Sequence, residues 1–387
     1  MSTKIWANSG DSHLMEPFDL FKQNLPRRVA ERMPRSQMDD DGAFETIFVD
    51  GQEFRRKVPF VKRPMVDPET GKGVFERAPG SNDMRLRLKD LNQEGIWGEL
   101  IYTSIGMWMH SIRDPELMLA GCQVLNDWAI EYQRFSDRYV CTALLPTLSV
   151  ETALSEVDRA AGMGFKIVML PTSPTLDGPN WNRDDWHPLW AALAEAGLHV
   201  GFHAGSDPHE ADTFNGVYYR GPGAHLLNYY EASYHMQLAA AKLVSSGVFE
   251  RHPSLKCIVS EGGATWVPFM ADRLDEAYRQ HVNQVWPKFS RLPSEYLYEN
   301  VYASFQHDAS APQALASMGY RNVCWGSDYP HLEGTFGHTQ KTLHELLADL
   351  SDDDRYRLTK GAFLELFPHV PPAPPDGTEL GEDGTPS

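Results

Sequence analysis

Short apolar runs alternate with longer amphipathic segments along most of the chain. The short runs are apolar at successive positions and rich in β-branched residues, which predicts buried strands, whereas the longer segments repeat apolar residues at helical spacing. The eight candidate strands are Ile5–Asn8, Glu99–Ser104, Val140–Pro146, Lys166–Leu170, His199–His203, Lys256–Ser260, Val301–Ser304 and Asn322–Trp325. The candidate helices are Pro115–Arg134, Val150–Ala161, Asp184–Ala196, Tyr234–Phe249, Trp266–His281, Ala311–Met318, His338–Leu350 and Asp352–Leu366.

This repeat of strand and helix predicts the fold class. Strands that are buried on both faces are typical of a parallel sheet covered by helices. Eight repeats in 387 residues favour a closed (β/α)8 barrel of the TIM type over an open, doubly wound sheet. No GxGxxG motif follows the first strand, which disfavours a dinucleotide-binding fold.

Three segments do not fit the repeat. Residues 22–95, between the first two strands, are polar and rich in turn residues, and we expect an insertion that covers the barrel mouth, with a small hairpin around Asp50-Gly51. Residues 206–232 hold several aromatic residues among glycines and form either a pocket wall or an ordinary surface covering. Residues 1–370 are therefore predicted to form one barrel domain, and the Pro-rich, acidic tail 371–387 should be disordered.

Charge and composition narrow the classes of partner. The chain carries 35 Lys and Arg against 53 Asp and Glu, a formal net charge of −18, which disfavours nucleic acid and anionic membrane surfaces as partners. No apolar stretch approaches the ~20 residues of a membrane span, and the first residues lack the apolar run of a secretory signal. We expect a cytoplasmic protein that acts on a small molecule, with a homodimer as one assembly consistent with the sequence.

The four cysteines are far apart in the sequence. Cys122, Cys141, Cys257 and Cys324 form no CxxC pair, and three of them lie in strand-like apolar runs. Buried, reduced thiols are therefore expected instead of disulfides or a zinc knuckle.

Metal-ligand residue types follow the predicted strands at their carboxyl ends, where (β/α)8 barrels hold their active sites. These residues are Asp11 and His13 after the first strand, His203 at the end of the fifth, Glu261 after the sixth, His307 after the seventh, and Asp328 and His331 after the eighth. Such side chains beside apolar strands are costly unless they are paired, and a divalent metal would pair them. Two imidazoles with carboxylates suit iron, zinc or manganese.

Each of these residues also has an ordinary structural explanation when it is taken alone. Asp11 and Asp328 could cap turns, His203 could be a core histidine, and Glu261 could begin a turn. Four of the predicted strands end in a residue type that commonly binds metal, and coincidence explains this shared position poorly. The sequence leaves one or two ions open, but Lys166 begins its strand and therefore lies at the opposite mouth, which excludes a bridging carboxylated lysine there.

These residues lie in segments that resemble the amidohydrolase superfamily. The segments are GDSHLMEP, GFHAG, SGVFERHPSLKCIVSEGGATWVPFMADRLD and WGSDYPHLEGT, and they are similar to the amidohydrolase-2 group, which includes the aminocarboxymuconate-semialdehyde decarboxylase-like proteins. The resemblance implies that Asp11 and His13 are the first-strand metal pair, that His203 is the fifth-strand ligand, and that Asp328 binds metal and handles the proton.

This sequence departs from the pattern of that group at two positions. Asp11 replaces the first histidine of the usual His-x-His pair, and Glu261 replaces a histidine that is important in the decarboxylases. Glu261 could instead bind or bridge metal. The added carboxylates favour iron or manganese over zinc.

The leading hypothesis from the sequence is metal-assisted hydrolysis of an ester, thioester, lactone or amide. The metal would activate a water molecule, Asp328 or Glu261 would accept its proton, and His331 would orient these groups. Aromatic residues suggest a fairly apolar substrate, although ordinary core packing explains them equally well. The expected substrate contacts are Trp6, Trp108, Phe305 and His307. A thioesterase is one possible specialisation.

Three other functions remain open at this point. The first is non-oxidative decarboxylation of an aromatic or enoic acid, which also needs a cation for the substrate carboxylate. Candidates for that cation are Arg55, Arg56, Arg63, Arg85 and Arg87, although solvated surface charge is the favoured explanation for these arginines. The second is a silent binding module that retains the metal, and the third is a 2-His-1-carboxylate iron oxygenase. The absence of GxSxG and P-loop motifs excludes a serine hydrolase and a nucleotide-binding loop.

Overall fold

Eight parallel strands form a nearly closed barrel with helices around it, which confirms the predicted (β/α)8 class. The computed structural model describes residues 3–39, 44–57, 65–66, 73–74, 78–175, 177–209, 219 and 221–380. The barrel strands are β1 (Ala7–Leu14), β7 (Ile96–Thr103), β8 (Tyr139–Leu144), β9 (Ile167–Met169), β10 (His199–His203), β11 (Cys257–Ser260), β12 (Val301–Phe305) and β13 (Val323–Trp325). The short strands between β1 and β7 are β2 (Arg35–Met38), β3 (Phe44–Val49), β4 (Gln52–Lys57), β5 (Met65–Val66) and β6 (Gly73–Val74).

The helices follow the strands around the barrel. They are α1 (Leu20–Asn24), α2 (Arg27–Ala30), α3 (Met84–Glu94), α4 (Pro115–Phe135), α5 (Val150–Met163), α6 (His187–Ala196), α7 (Ala224–Ser245), α8 (Val248–Arg251), α9 (Trp266–Gln280), α10 (Pro293–Asn300), α11 (Ala311–Ala316), α12 (Thr339–Leu347), α13 (Asp352–Tyr356) and α14 (Ala362–Leu366). The described residues also form three 3₁₀ segments, Pro79–Ser81, Ile105–Ser111 and Asp184–Trp186, and a π-helical turn, Arg357–Gly361.

Capping residues mark the ends of several helices. The Asp114 side chain accepts hydrogen bonds from the first N–H groups of α4. Gly197 ends α6 at a φ of 67°, as the Ala196-Gly197 pair predicts, although Asp184-Asp185 begins a 3₁₀ turn before α6 and not the helix itself. The sequence reading missed α3 and α10, because both are short and polar and their apolar spacing is weak.

The first barrel strand is longer than predicted and shifted towards the carboxyl end. β1 runs through Leu14, and the pairs Ser12–Ile101 and His13–Tyr102 align it with β7. Polar residues with low strand propensity hid this extension, which is sustained by pairing with the apolar β7. The candidate ligands Asp11 and His13 therefore belong to the strand itself and not to the loop after it.

Glycine and serine residues bring β1 against β13 and close the barrel. A Cβ on Gly326 would lie 2.7 Å from the Asp11 Cβ, so only glycine permits this approach. Ser9 Oγ lies within hydrogen-bonding distance of Ser327 Oγ (3.0 Å), and Ser12 forms a parallel bridge to Tyr329. The strand that carries the first two candidate ligands is thus fixed to the loop that carries the last two.

The hydrophobic core has two layers separated by the strands. One lies between strands and helices and includes Val168, Phe202 and Trp325, and the other fills the barrel and includes Tyr102, Ile258 and Tyr302. Side chains that alternate along each strand supply both layers. All four cysteines are free and buried, as expected. No helix in the described residues is both long enough and apolar enough to span a bilayer.

The predicted hairpin at Asp50-Gly51 is confirmed within the insertion. β3 and β4 pair with Val49 opposite Gln52, and the two turn residues have positive φ angles of 50° and 77°, as a two-residue type I′ turn requires. The hairpin lies against the 3₁₀ segment that follows β7, since Gln52 Nε2 donates to Ser111 O at 3.2 Å. Described parts of the insertion thus pack at the carboxyl ends of the strands.

The C-terminal tail is held in place over part of its length. Residues 371–380 lie along the amino end of the barrel, where Trp6 Nε1 donates to Thr378 O (3.0 Å) and Trp97 Nε1 donates to Pro371 O (2.7 Å). The predicted disorder does not hold for these residues, because main-chain hydrogen bonds replace the missing apolar pattern. Residues 381–387 lie outside the described part of the chain.

Candidate metal centre and active site

Three predicted ligands from two strands converge inside the barrel mouth. Asp11 and His13 alternate along β1 and therefore point to the same side, and His203 ends β10. His203 Nε2 lies 3.1 Å from both Asp11 Oδ1 and His13 Nε2. All three residues are buried, at no more than 1% exposure. The other ring nitrogen of His203, Nδ1, donates to Ala204 O at 2.8 Å, which leaves Nε2 to face the centre.

Asp328 and His331 complete this cluster from the loop after β13. Asp328 adopts a left-handed conformation, with φ 53°, and its N–H donates to Asp11 O at 2.9 Å. Its Oδ1 lies 3.3 Å from His13 Nε2 and 3.0 Å from His331 Nδ1. The His331 ring stacks on His13 at 3.9 Å between centroids. The structure thus brings together four of the five predicted ligands, with His331 beside them.

Several polar atoms of this cluster are buried without a hydrogen-bond partner among the described residues. They include Asp11 Oδ2, Asp328 Oδ2 and His13 Nδ1. Buried polar atoms in folded proteins are almost always paired, so such a group requires an explanation. Two carboxylates and two imidazoles that converge in one place fit a divalent transition metal. Asp11, His13, His203 and Asp328 would hold it.

The electrostatics of the metal-free site place protons on two imidazoles. Burial opposes the charge of His203, but attraction by Asp11 outweighs it and raises the pKa of His203 to about 10. Burial likewise opposes charge on His331, and Asp328 raises its pKa to about 9. Burial, reinforced by the charge of His331, lowers the pKa of His13 to about 3. A divalent ion would compete with the His203 proton.

Glu261 lies on the other side of His203 from Asp11. It follows β11 in a left-handed conformation, with φ 61°, and its N–H donates to Ser304 Oγ at 3.2 Å. Its Oε2 is 3.8 Å from His203 Nδ1. Burial raises the pKa of Glu261 to about 8, against the attraction of His203. Glu261 is therefore next to the cluster, in contact with the nitrogen that faces away from Asp11.

Two of the predicted substrate contacts, Trp108 and His307, lie near the strand ends, one in an aromatic cluster and the other exposed to solvent. Trp108 packs with Phe54 of the insertion at 5.1 Å and with His209 at 4.9 Å, which forms an aromatic wall beside the strand ends. His307 is exposed at the rim, and its Nε2 donates to Glu333 O at 3.2 Å. Residues 210–218 and 220, in the aromatic segment 206–232, lie outside the described residues.

Two of the predicted aromatic contacts are wrong. Phe305 ends β12 on its outer side and belongs to the core between barrel and helices, because alternation turns the preceding Ser304 inwards. Trp6 lies at the amino end of β1 and packs against the C-terminal tail. Ordinary core packing, the alternative kept open above, explains both.

The structure does not support the predicted arginines as partners of a substrate carboxylate, because most of the described ones already pair with carboxylates of the protein. Arg87 is fully buried; it pairs with both carboxylate oxygens of Glu99 and donates to His13 O at 2.8 Å. Its structural pairing contradicts the prediction that it serves the substrate. The remaining candidates are Arg55, paired with Asp39; Arg56, paired with Glu45; Arg85, which is exposed; and Arg63, which lies outside the described residues.

Sequence reasoning missed residues that support this site. Glu16 accepts from Ile105 N (3.0 Å) and Gly106 N (2.9 Å) and so joins the exit of β1 to the exit of β7. Ser104 Oγ lies 3.4 Å from His331 Nε2. Glu333 has a carboxylate oxygen in the same cluster as those of Glu261 and Asp328. Glu16 and Glu333 carried a usable signal, because Glu16 lies three residues after His13 in the GDSHLMEP segment and Glu333 lies two residues after His331 in the WGSDYPHLEGT segment.

Imidazoles and carboxylates at the carboxyl ends of the strands define a metal-binding (β/α)8-barrel enzyme. A family model described as "Amidohydrolase" matches residues 101–368, more than half of the chain. The chain belongs to the amidohydrolase-2 family. This agrees with the resemblance seen in the sequence motifs.

One relative matches about three quarters of the chain in sequence, and solved structures share the fold over nearly the whole chain. A 2-amino-3-carboxymuconate-6-semialdehyde decarboxylase from Dictyostelium discoideum is 24% identical over 306 residues, which cover 76% of this chain and 80% of that protein. An amidohydrolase structure from Mycobacterium avium subsp. paratuberculosis K-10 has a TM-score of 0.73 at 24% identity and covers 94% of this chain and 98% of that one. A 5-carboxyvanillate decarboxylase from Novosphingobium aromaticivorans DSM 12444, solved with bound manganese, has a TM-score of 0.64 at 15% identity, covering 94% and 97%.

Proposed function

We propose that this protein is a metal-dependent, non-oxidative decarboxylase of an aromatic or enoic acid. Relatives named as decarboxylases support this reaction better than the acyl hydrolysis expected from the sequence alone. Manganese in one of those structures makes Mn²⁺ the first metal to test. When bound, the metal would supply a Lewis acid that holds an oxygen of the substrate carboxylate or of an adjacent hydroxyl group.

The Asp328–His331 pair is the observation that carries the proposal. Decarboxylation replaces a C–C bond with a C–H bond: the bonding electrons stay on the substrate carbon, CO₂ leaves, and a proton must reach that carbon. His331 Nδ1 lies 3.0 Å from Asp328 Oδ1, and in the metal-free protein Asp328 raises the pKa of His331 to about 9, which favours the protonated imidazole. A proton donor beside the ligands matches this need, whereas hydrolysis begins with a base that removes a proton from water.

The other residues of the site have positioning roles in this proposal. His13 stacks on His331 and limits its rotation, and Ser104 lies within reach of the far nitrogen, His331 Nε2. The tilted rings of Phe54, Trp108 and His209 form an aromatic wall beside the strand ends, which favours a substrate with a ring or a conjugated chain.

Acyl hydrolysis remains the second candidate because of Glu261. A carboxylate at this position can accept a proton from water, and its raised pKa, about 8, places it in the range of a general base. The paired state of Arg55, Arg56 and Arg87 also leaves the described site without a free guanidinium for a substrate carboxylate.

One assay separates the two reactions. Mn²⁺-loaded protein in D₂O is incubated with hydroxybenzoic and enoic acids and, separately, with aryl esters, thioesters and lactones. Decarboxylation predicts released CO₂ together with one deuterium on the carbon that lost the carboxyl group, seen by NMR. Asp328→Asn should abolish both signals, whereas Glu345→Gln, a substitution at an exposed site on α12, should leave them unchanged. Cleavage of the esters without CO₂ from the acids would contradict the proposal and support the hydrolase.

A further inference from the structure

Three carboxylates converge beside the first cluster. Glu261 follows β11, Asp328 follows β13, and Glu333 lies five residues further along the same loop. One carboxylate oxygen from each lies within 4.8 Å of the other two. Like charges at this separation repel one another, and partial burial strengthens the repulsion because less water screens it.

One described imidazole, that of His331, pairs with Asp328 Oδ1 at 3.0 Å, but a single positive charge does not balance three carboxylates. The nearest positive partner of Glu261 is His203 Nδ1 at 3.8 Å, and that nitrogen already donates to Ala204 O. Among the residues that the structure describes, neither lysine nor arginine forms an ion pair with Glu261 or Glu333. Asp328 is completely buried, and its Oδ2 has no hydrogen-bond partner in that part of the chain.

We propose that Glu261, Asp328 and Glu333 bind a second divalent cation, with Asp328 shared between this ion and the one held by Asp11, His13 and His203. The unpartnered Asp328 Oδ2 gives the shared carboxylate an oxygen for the second ion. A set of oxygen ligands without imidazole suits Mn²⁺ or Mg²⁺, unlike the mixed set of the first centre. This proposal goes beyond the decarboxylase function, which requires only one ion.

The second ion would change the charge that a substrate meets. Three carboxylates at the mouth would repel an acid substrate, and Arg55, Arg56 and Arg87 are each paired with a carboxylate elsewhere. A divalent cation at Glu261 and Glu333 reverses that field locally, so an acid substrate could bind without a free guanidinium. In this arrangement Glu261 is a ligand and not the general base considered above.

Metal titration tests the proposal without any substrate. Protein stripped with a chelator is titrated with Mn²⁺, bound manganese is measured by ICP-MS after gel filtration, and the Mn²⁺ spectrum is followed by EPR. Wild type should bind two equivalents, and spin–spin coupling should appear only with the second, because a shared carboxylate holds the ions within a few ångströms of each other. Glu333→Gln should weaken the second ion by on the order of 10-fold or more and leave the first within about twofold.

The controls separate ligand loss from misfolding. Glu345→Gln makes the same chemical change at an exposed site on α12 and should behave as wild type. Glu261→Gln should lose the second equivalent as Glu333→Gln does, so the test stands if one of the two variants fails to fold. One equivalent in wild type, or two coupled ions in both Gln variants, would overturn the second site. Neither result would affect the decarboxylase assay, which is read from CO₂ and deuterium.

Discussion

Two groups of buried charged side chains meet at His13, and they differ in how their polar atoms are satisfied. In the first group, Arg87 pairs with both carboxylate oxygens of Glu99, donates to the His13 carbonyl at 2.8 Å and lies 4.7 Å from the centre of the Tyr329 ring. In the second group, the carboxylates of Asp11 and Asp328 each keep a buried oxygen without a partner among the described residues.

This difference distinguishes buried charged residues that stabilise the fold from buried charged residues that bind an ion. Both groups contain fully buried ionisable residues, so burial alone does not distinguish them. A paired guanidinium and carboxylate need no further ligand, whereas an unpartnered carboxylate in a close-packed interior carries a cost that a bound ion removes. The same reasoning leads to the second cation proposed at Glu261 and Glu333.

The largest expected loss of stability comes from breaking the Arg87–Glu99 pair. Arg87→Met leaves the buried Glu99 carboxylate without its partner and should lower the free energy of unfolding by about 3–5 kcal/mol. Urea denaturation of the metal-free protein measures this. The double variant Arg87→Met, Glu99→Met removes both charges and should recover much of the loss. If Arg87→Met were as stable as wild type, the pair could not be a stabilising structural element.

Asp11, in the group with unpartnered oxygens, should contribute mainly to metal binding and little to the stability of the metal-free protein. Burial raises the pKa of Asp11, so its charge is unfavourable in the folded, metal-free protein. Asp11→Asn removes this cost together with the His203–Asp11 pair at 3.1 Å, so the metal-free protein should lose much less stability at pH 8 than it does with Arg87→Met, whereas Mn²⁺ binding should weaken by about 10–100-fold or more. Urea denaturation and calorimetric titration provide the two readings. A large loss of metal-free stability would place Asp11 with the structural group.

Much of this arrangement could be predicted from the sequence. The apolar runs predicted the strand order, and ligand types at three strand ends pointed to Asp11, His13, His203 and Asp328, because the carboxyl ends of parallel barrel strands meet at one mouth. Pairing between distant residues could not be read in the same way. Arg87 looked like a candidate substrate cation, and only the packing of α3 against β7 makes it the partner of Glu99.

The pH dependence of stability distinguishes the states with and without metal. The pKa of His203 is raised from 6.5 to about 10 and that of His331 to about 9. Their stabilising effect on the metal-free protein is thus complete below pH 6.5 and is lost as pH rises towards 10.

Stabilisation by a bound metal depends on pH in the opposite direction. The ion must displace the His203 proton, so it binds more tightly as pH rises. The difference in unfolding free energy between Mn²⁺-loaded and metal-free protein should widen from pH 6.5 to 8.5, by about 1.4 kcal/mol per pH unit for each proton displaced. Denaturation with and without Mn²⁺ at three pH values tests this. His203→Ala should show little Mn²⁺ effect at any pH, and a constant difference in wild type would contradict the competition.

Glu16 gives the finest test of the comparison. Burial raises its pKa, as it does for Glu261, so by that property alone Glu16 would count as a functional carboxylate. Its hydrogen bonds indicate the opposite, because its two oxygens accept from Ile105 N and Gly106 N, at 3.0 and 2.9 Å. If pairing is the property that matters, Glu16 is structural despite its place two residues beyond the end of β1.

Glu16→Gln keeps one acceptor oxygen and should lower the free energy of unfolding by only about 1 kcal/mol, the net contribution of one hydrogen bond. Bound manganese should stay at the wild-type stoichiometry, whereas Glu261→Gln should lose one equivalent under the same conditions. Loss of metal in Glu16→Gln would mean that a raised pKa, and not an unsatisfied oxygen, identifies the functional carboxylates of this barrel. Retention of metal with a small loss of stability would show that Glu16, like Glu99, is a structural carboxylate because its oxygens are paired. The distinction between paired and unpartnered carboxylates would then also hold at the exit of β1.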